Sequence, residues 1–276
     1  MKMSRTVETP DAETTDFLVT KEYRRFAEFC NACLRDRYIG LCYGPPGVGK
    51  TVSARYYAKW HLLEHRLPRY NAYRPLPPEI AACRTLFYTP EISSTPRTIQ
   101  VELREMRIML SRFVFELTHQ EDDPPYVGLP PDRCDLIIVD EADRLKMAGL
   151  EQLRDIYDRS DTGLILIGMP GLEKRMSRYP QLYSRVGFAH AYRPLSTEEM
   201  HFILEHHWER LGLKLERADF SDSEAVSAIA RITGGNFRLI QRLFAQIGRI
   251  LQINDLSSLT KEVVEAARAC LVIGVT

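Results

Sequence analysis

Residues 41–60 read LCYGPPGVGKTVSARYYAKW, an apolar run that breaks into glycine and proline and then resumes with helical periodicity. Gly44, Pro45, Pro46, Gly47, Val48, Gly49, Lys50 and Thr51 spell Gly-x-x-x-x-Gly-Lys-Thr. A predicted strand precedes them and a predicted helix follows, which is the setting a phosphate-binding loop requires. Glycines let backbone N–H groups turn toward phosphate oxygens, and the helix N-terminus adds a positive dipole. Lys50 is placed to neutralise the β- and γ-phosphates and Thr51 to give its hydroxyl to Mg²⁺, while Val52 carries the segment into the helix. The expected ligand is ATP with Mg²⁺.

A second stretch, LIIVDEADRL at 136–145, gives that loop a partner. Four apolar residues form a buried strand that delivers two carboxylates at its end. Asp140 is placed to hold the metal ion, and Glu141 to orient or deprotonate an attacking water. Binding alone would not require Glu141, so the pair predicts a hydrolase.

The rest of the composition narrows the setting. Lys plus Arg equals Asp plus Glu at 37 each, so no global basic field announces nucleic acid, and any such contact must come from a local patch. No apolar run approaches the roughly 18 residues of a membrane span, and the polar start MKMSRTVETPDAETTDF lacks a signal-peptide core; a cytoplasmic protein without a membrane partner is expected. Cys30 and Cys33 form a C-x-x-C pair, but no second pair completes a zinc site, and a helix with inward thiols is the plainer reading. His61–His65 spells H-x-x-E-H, a zinc-peptidase signature, yet it falls on the helix that the phosphate loop already opens.

Element order follows from periodicity. Residues 1–20 read as a flexible acidic leader. A helix is expected over 21–35, with Phe26, Phe29, Cys30 and Cys33 on one stripe, and a single helix over 50–65. Leu103, Met106, Leu110, Phe113 and Leu117 recur at steps of three and four, predicting a long helix over 97–117. Apolar strands are expected at 38–43, 83–89, 136–139, 164–167 and 188–192. Alternating with helices, they imply a five-stranded parallel sheet covered on both faces. Ser196 with Glu199 and Ser221 with Glu224 read as capping boxes, so residues 196–276 form a small helical domain after an α/β domain at 21–195.

Taken together, the two motifs, the strand GLILIG at 163–168 and a helical C-terminal lid resemble the AAA+ ATPases over roughly residues 20–276. The resemblance implies an AAA+ P-loop fold in which Gly163–Gly168 leads to the sensor-1 position. The family usually carries Asn or Thr there, and this chain has Met169. QLYSRVGFAHAYRPL at 181–195 resembles the segment that supplies an arginine finger to a neighbouring subunit, with Arg185 the first choice and Arg178 the second. An ordinary pairing of Arg185 with surface carboxylates is the alternative. ITGGNFRLIQRL at 232–243 resembles sensor 2, with Arg238 facing the γ-phosphate. From 225 to 254 the charged residues are Arg231, Arg238, Arg242 and Arg249, with no acid among them.

A narrower likeness is carried by DEADRLK at 140–146, the following LEQLRDIYD and LILIGMPGLEKRM, and GGNFRLIQRL. These are similar to the transposition regulators TnsC, TniB and MuB. That resemblance implies ATP-bound subunits assembling as a ring or helical filament on double-stranded DNA, recruitment of a DDE-type transposase and of a TniQ-like target selector, and disassembly on hydrolysis. The matching DNA-facing stretch, EISSTPRTIQ at 91–100, makes Thr95, Arg97 and Thr98 the candidates, although Thr95-Pro96 is also good helix-start chemistry. The basic-aromatic HRLPRYNAYRP at 65–75 offers a second contact or a solvated loop. Two rivals stay open. A replication initiator or helicase loader would normally append a winged helix, for which 196–276 leaves little room. A nucleotide-switched scaffold would be indifferent to DNA.

Overall fold

The computed structural model describes residues 17–64, 66, 75–119, 128–216 and 218–271. Helix α1 (Lys21–Asp36) opens with Thr20, whose hydroxyl accepts the Tyr23 N–H at 3.0 Å. Its inner stripe is the one expected, with Phe26, Phe29, Cys30 and Cys33 all buried. Burial pushes the Cys33 thiol up to about 12 and Cys30 well above its ordinary value, so neither is poised to ionise.

Strand β1 (Ile39–Tyr43) follows, then α2 (Lys50–Tyr57) and the short α3 (Trp60–Leu63). The single helix expected over 50–65 is therefore two. Lys59 sits in the left-handed region at φ 51°, and the turn it makes sends Leu63 into the core and brings Trp60 against Phe87. His61 is exposed at this break, Glu64 pairs with Arg55, and His65 lies outside the described residues.

Strand β2 (Thr85–Tyr88), α4 (Pro96–Thr118), β3 (Leu136–Val139), α5 (Met147–Asp158) and β4 (Gly163–Gly168) come next. On α4, Leu103, Leu110 and Phe113 are buried and Met106 and Leu117 half-buried, as the spacing required. The turns α6 (Leu172–Met176) and α7 (Pro180–Tyr183) lead to β5 (Val186–Ala191). All strands are parallel in the order β2-β3-β4-β1-β5. The three inner strands, β3, β4 and β1, are apolar because helices cover both faces. At the edge, β5 alternates half-buried and exposed residues.

Helices α8 (Thr197–Arg210), α9 (Phe220–Thr233), α10 (Phe237–Ile253) and α11 (Lys261–Ala269) close on a separate apolar core around Ile203, Trp208, Ile229, Ile240 and Val264. The capping box at α8 forms, with Ser196 accepting from the Glu199 N–H and Glu199 accepting from the Ser196 N–H at 3.0 Å. The box expected at Ser221 does not cap α9. Asp219 starts the helix instead, its carboxylate accepting the Asp222 N–H at 3.1 Å, and a charged cap two residues earlier also meets the helix dipole.

One carboxylate joins this helical unit to the start of the chain. The other oxygen of Glu199 accepts the Glu22 N–H at 2.7 Å, and Glu22 in turn accepts the Arg193 N–H at 3.2 Å. Two helix N-termini and the strand exit after β5 thus share one buried polar node.

Candidate functional site

The phosphate loop leaves β1 and returns as α2 within six residues, and its glycines make this possible. Gly47 and Gly49 hold φ of 77° and 114°, a region closed to most side chains. At Gly47 a Cβ would stand 2.5 Å from the Asn236 side chain, because the start of α10 rests directly on the loop. Asn236 donates to the Pro46 carbonyl at 2.8 Å, and the Arg238 N–H donates to the Gly47 carbonyl at 2.9 Å. Val48 is buried and pins the loop to the sheet.

Lys50 is buried, and its ammonium donates to the carbonyls of Gly44 at 2.6 Å and Pro45 at 2.8 Å. An ammonium has three donors, so one is left for an anion. Burial lowers its pKa against the opposing pull of neighbouring acids, Asp140 and Asp143 included. Next along the helix, the Thr51 hydroxyl donates to Asp140 Oδ2 at 2.7 Å, and Asp140 Oδ1 accepts the Glu141 N–H at 2.9 Å.

Asp140 is only 4% exposed, and burial raises its pKa even though Thr51 and the Glu141 N–H favour the charged form. A buried carboxylate beside a threonine hydroxyl, lacking full compensation, is the donor set that a hard divalent cation takes, so the residues present fit Mg²⁺. Glu141 adopts φ 51°, an uncommon value for a non-glycine residue, and its carboxylate pairs with Arg144.

A cleft of about 290 Å³ collects these groups: Lys50, Thr51, Asp140 and Glu141 face Arg238 across it, with Val52 and Met169 at its margin. Strand ends thus deliver one wall and the N-terminus of α10 the other. Arg238 makes no ion pair among the described residues, which suits a group awaiting an anion.

Arg185 stands elsewhere. It is bound to Asp158 by Nε at 2.5 Å and Nη2 at 2.9 Å, the carboxylate pairing that was its alternative role. Arg178 is exposed without an ion pair among the described residues. Thr95 caps α4 by accepting the Thr98 N–H at 3.1 Å, and the two hydroxyls lie 2.8 Å apart, so much of their hydrogen-bonding capacity is used locally. Arg97 is exposed and makes no ion pair among the described residues. Of the acid-free arginine run, Arg231 pairs with Glu265, while Arg242 and Arg249 make no ion pair among the described residues. The stretch 65–75 lies outside the described residues except for Arg66 and Pro75.

A family model described as an AAA domain matches residues 34–176. The chain belongs to the AAA domain family. It is 46% identical over 273 residues to a potential ATP-binding protein of Staphylococcus aureus, covering 94% of this chain and 98% of that one. In three dimensions it is similar to the Thermotoga maritima Holliday junction branch migration motor RuvB, with a TM-score of 0.57 at 16% identity over 92% of this chain and 70% of that chain. It is similar also to the Aeropyrum pernix ORC1 protein in complex with DNA, with a TM-score of 0.55 at 20% identity over 90% and 64% of the two chains. At such identities the likeness speaks for the AAA+ fold. ATP binding is the property shared with the family. No helix among the described residues is long and apolar enough to cross a membrane.

Three residues of the site lie inside the quoted motifs, yet their sequence context assigned them no role. Asn236 was legible in principle, since Gly-Gly-Asn before an apolar run is a helix start. Asp143, which accepts the Met169 N–H, and Arg175, which donates to the Asp143 carbonyl at 2.6 Å, act across 26 and 32 positions and leave no local pattern.

Proposed function

We propose that the protein is an ATP-hydrolysing AAA+ regulator that assembles on double-stranded DNA, marks a transposition target for a DDE-type transposase and leaves on hydrolysis. The observation that carries the hydrolytic part is the convergence of Lys50, Thr51, Asp140 and Glu141 in one cleft opposite Arg238. Lys50 and the loop N–H groups bind the phosphates. Thr51 and Asp140 would hold Mg²⁺, which would supply positive charge against the phosphates. Glu141 orients and deprotonates the attacking water, and Arg238 reports the γ-phosphate to the helical unit through its seat on the loop.

Assembly enters through Arg185. A neighbouring subunit's triphosphate would draw its guanidinium from Asp158, so the site is complete only between subunits. The DNA part is supported by the exposed Arg97 beside Thr95 and Thr98, by the likeness to TnsC, TniB and MuB, and by the DNA-related neighbours RuvB and ORC1. The transposase and a TniQ-like selector rest on that sequence likeness alone. An initiator-type role is the second reading, favoured by the fold it shares with ORC1.

Electron microscopy and ATPase assays with and without duplex DNA test the proposal. Glu141→Gln is expected to lower turnover by about 10²-fold or more and to trap a DNA-bound polymer. Arg97→Ala is expected to weaken DNA binding at every sequence without changing ATP binding. Parental turnover in Glu141→Gln would remove its assigned role. No DNA-dependent polymer, together with turnover indifferent to DNA, would return the protein to the scaffold reading.

A further inference from the structure

Met169 follows β4 at the rim of the cleft, and its thioether is a poor partner for water. The polar group found at this end of β4 comes from another element. Asp143, in the 3-10 turn Ala142–Arg144 that follows β3, lines the nucleotide cleft and accepts the Met169 N–H through Oδ1 at 2.9 Å. Its seat is made by glycine: a Cβ on Gly168 would stand 2.0 Å from that same oxygen. The turn is fastened from below by Arg175, which donates to the carbonyls of Asp143 and Leu145. Oδ2 makes no hydrogen bond among the described residues.

A carboxylate held this firmly, with one oxygen tied and the other free in a phosphate cleft, is arranged to accept rather than to bind an anion. We propose that Asp143 is a catalytic residue, a second acceptor that together with Glu141 orients the attacking water. This rests on the hydrolytic reading above. As the water oxygen bonds to the γ-phosphorus, the bond from that phosphorus to the β–γ bridging oxygen breaks and its electron pair leaves with ADP. One water proton passes to Glu141, while Asp143 holds the other O–H and takes no proton. Two fixed acceptors restrict the water to an in-line approach, which is how positioning lowers a barrier.

Asp143→Asn separates this role from a structural one. The amide oxygen can still accept the Met169 N–H, but the free position now donates instead of accepting. The expected result is a kcat lowered by about 10²-fold with binding of a non-hydrolysable ATP analogue unchanged. Gly168→Ala should give a similar loss by displacing the carboxylate. The Asp143→Ala, Gly168→Ala double variant should be no slower than Asp143→Ala alone, because both act on one contact. Parental kcat in Asp143→Asn would overturn the proposal and leave Asp143 a brace for Met169. Glu141→Gln, assayed in parallel, keeps the two readings apart: its loss of turnover upholds hydrolysis whatever Asp143 does. A parental protein with no turnover, with or without DNA, would overturn both.

Discussion

Asp140 and Glu22 are both buried carboxylates, 4% and 3% exposed, and the protein treats them in opposite ways. At Asp140, burial prevails over the hydrogen bonds from Thr51 and the Glu141 N–H, and the pKa is raised. At Glu22, burial also pushes upward, but His190, the Arg193 N–H and Arg25 together hold the pKa below its ordinary 4.5. The second carboxylate has donors from α1 at 3.3 Å and the strand exit at 3.2 Å, with the His190 imidazole of β5 in contact 3.2 Å away. The first has a threonine and one backbone N–H as partners, with the acid Glu141 pushing its pKa up and the Lys50 ammonium pulling it down short of offsetting burial. A fully furnished carboxylate holds a structure together, whereas an under-furnished one is kept for a ligand that supplies the missing charge.

Glu22→Ala is the strongest way to break that contrast. It would strand the Arg193 N–H and remove the side-chain link between α1 and the strand exit after β5, with an expected loss of about 3 kcal/mol in chemical denaturation. Glu22→Gln, which keeps an acceptor, should lose less. The pH dependence has a definite sign. Because the folded pKa lies below the unfolded one, the contribution of Glu22 is present above pH 4.5 and is lost as the pH falls through the folded value. Parental and Glu22→Gln unfolding curves should therefore converge on acidification. Curves that stay apart by the same margin at all pH values would show that charge has no part in the tie.

How much of this was legible in the sequence depends on the range of each interaction. The strand runs LIIV and GLILIG and the Gly-x-x-x-x-Gly-Lys-Thr loop announce themselves within a few residues, because burial on both faces and a tight anion loop each demand particular side chains locally. The break at Lys59 and the strained Glu141 did not, since both occupy positive φ without glycine to mark it. The cap at α9 was misplaced because Ser-x-x-Glu looked sufficient while Asp219 stood two residues upstream. The contact of Glu22 with Glu199 spans 177 positions, and neither residue looks unusual where it stands.

Asp140→Asn should give a smaller effect of opposite sign. Its amide oxygen can accept the Glu141 N–H, and its NH₂ can donate to Thr51, whose hydroxyl accepts as readily as it donates. With no charge left to desolvate, the nucleotide-free protein is expected to gain about 1 kcal/mol, read as a melting temperature a few degrees higher. Since the folded pKa of Asp140 is raised, the gain should be complete above that pKa and vanish below the ordinary 3.8. Added Mg²⁺ and ATP analogue should then stabilise the parental protein more than the variant, reversing their order. A variant less stable than the parent without ligand would mean that the Thr51–Asp140 pair holds the site together.

Asp158 sharpens the contrast from the solvent side, where carboxylates are cheap to keep. It receives Arg185 and also Arg154, the latter at 2.5 Å, yet its side chain remains 26% exposed and that of Arg185 32%. Water screens such a pair, so Asp158→Asn is expected to change stability by less than about 1 kcal/mol, the smallest effect of the three. Its consequence should appear in assembly. Freed from its partner, Arg185 becomes easier to draw toward a neighbouring subunit's triphosphate, and ATP-dependent association should begin at lower protein concentration. Sedimentation with an ATP analogue measures this, with Arg185→Ala as the control in which association fails. An unchanged concentration threshold in Asp158→Asn, with stability also unchanged, would make the ion pair a bystander and move the search for a trans-acting arginine to Arg178.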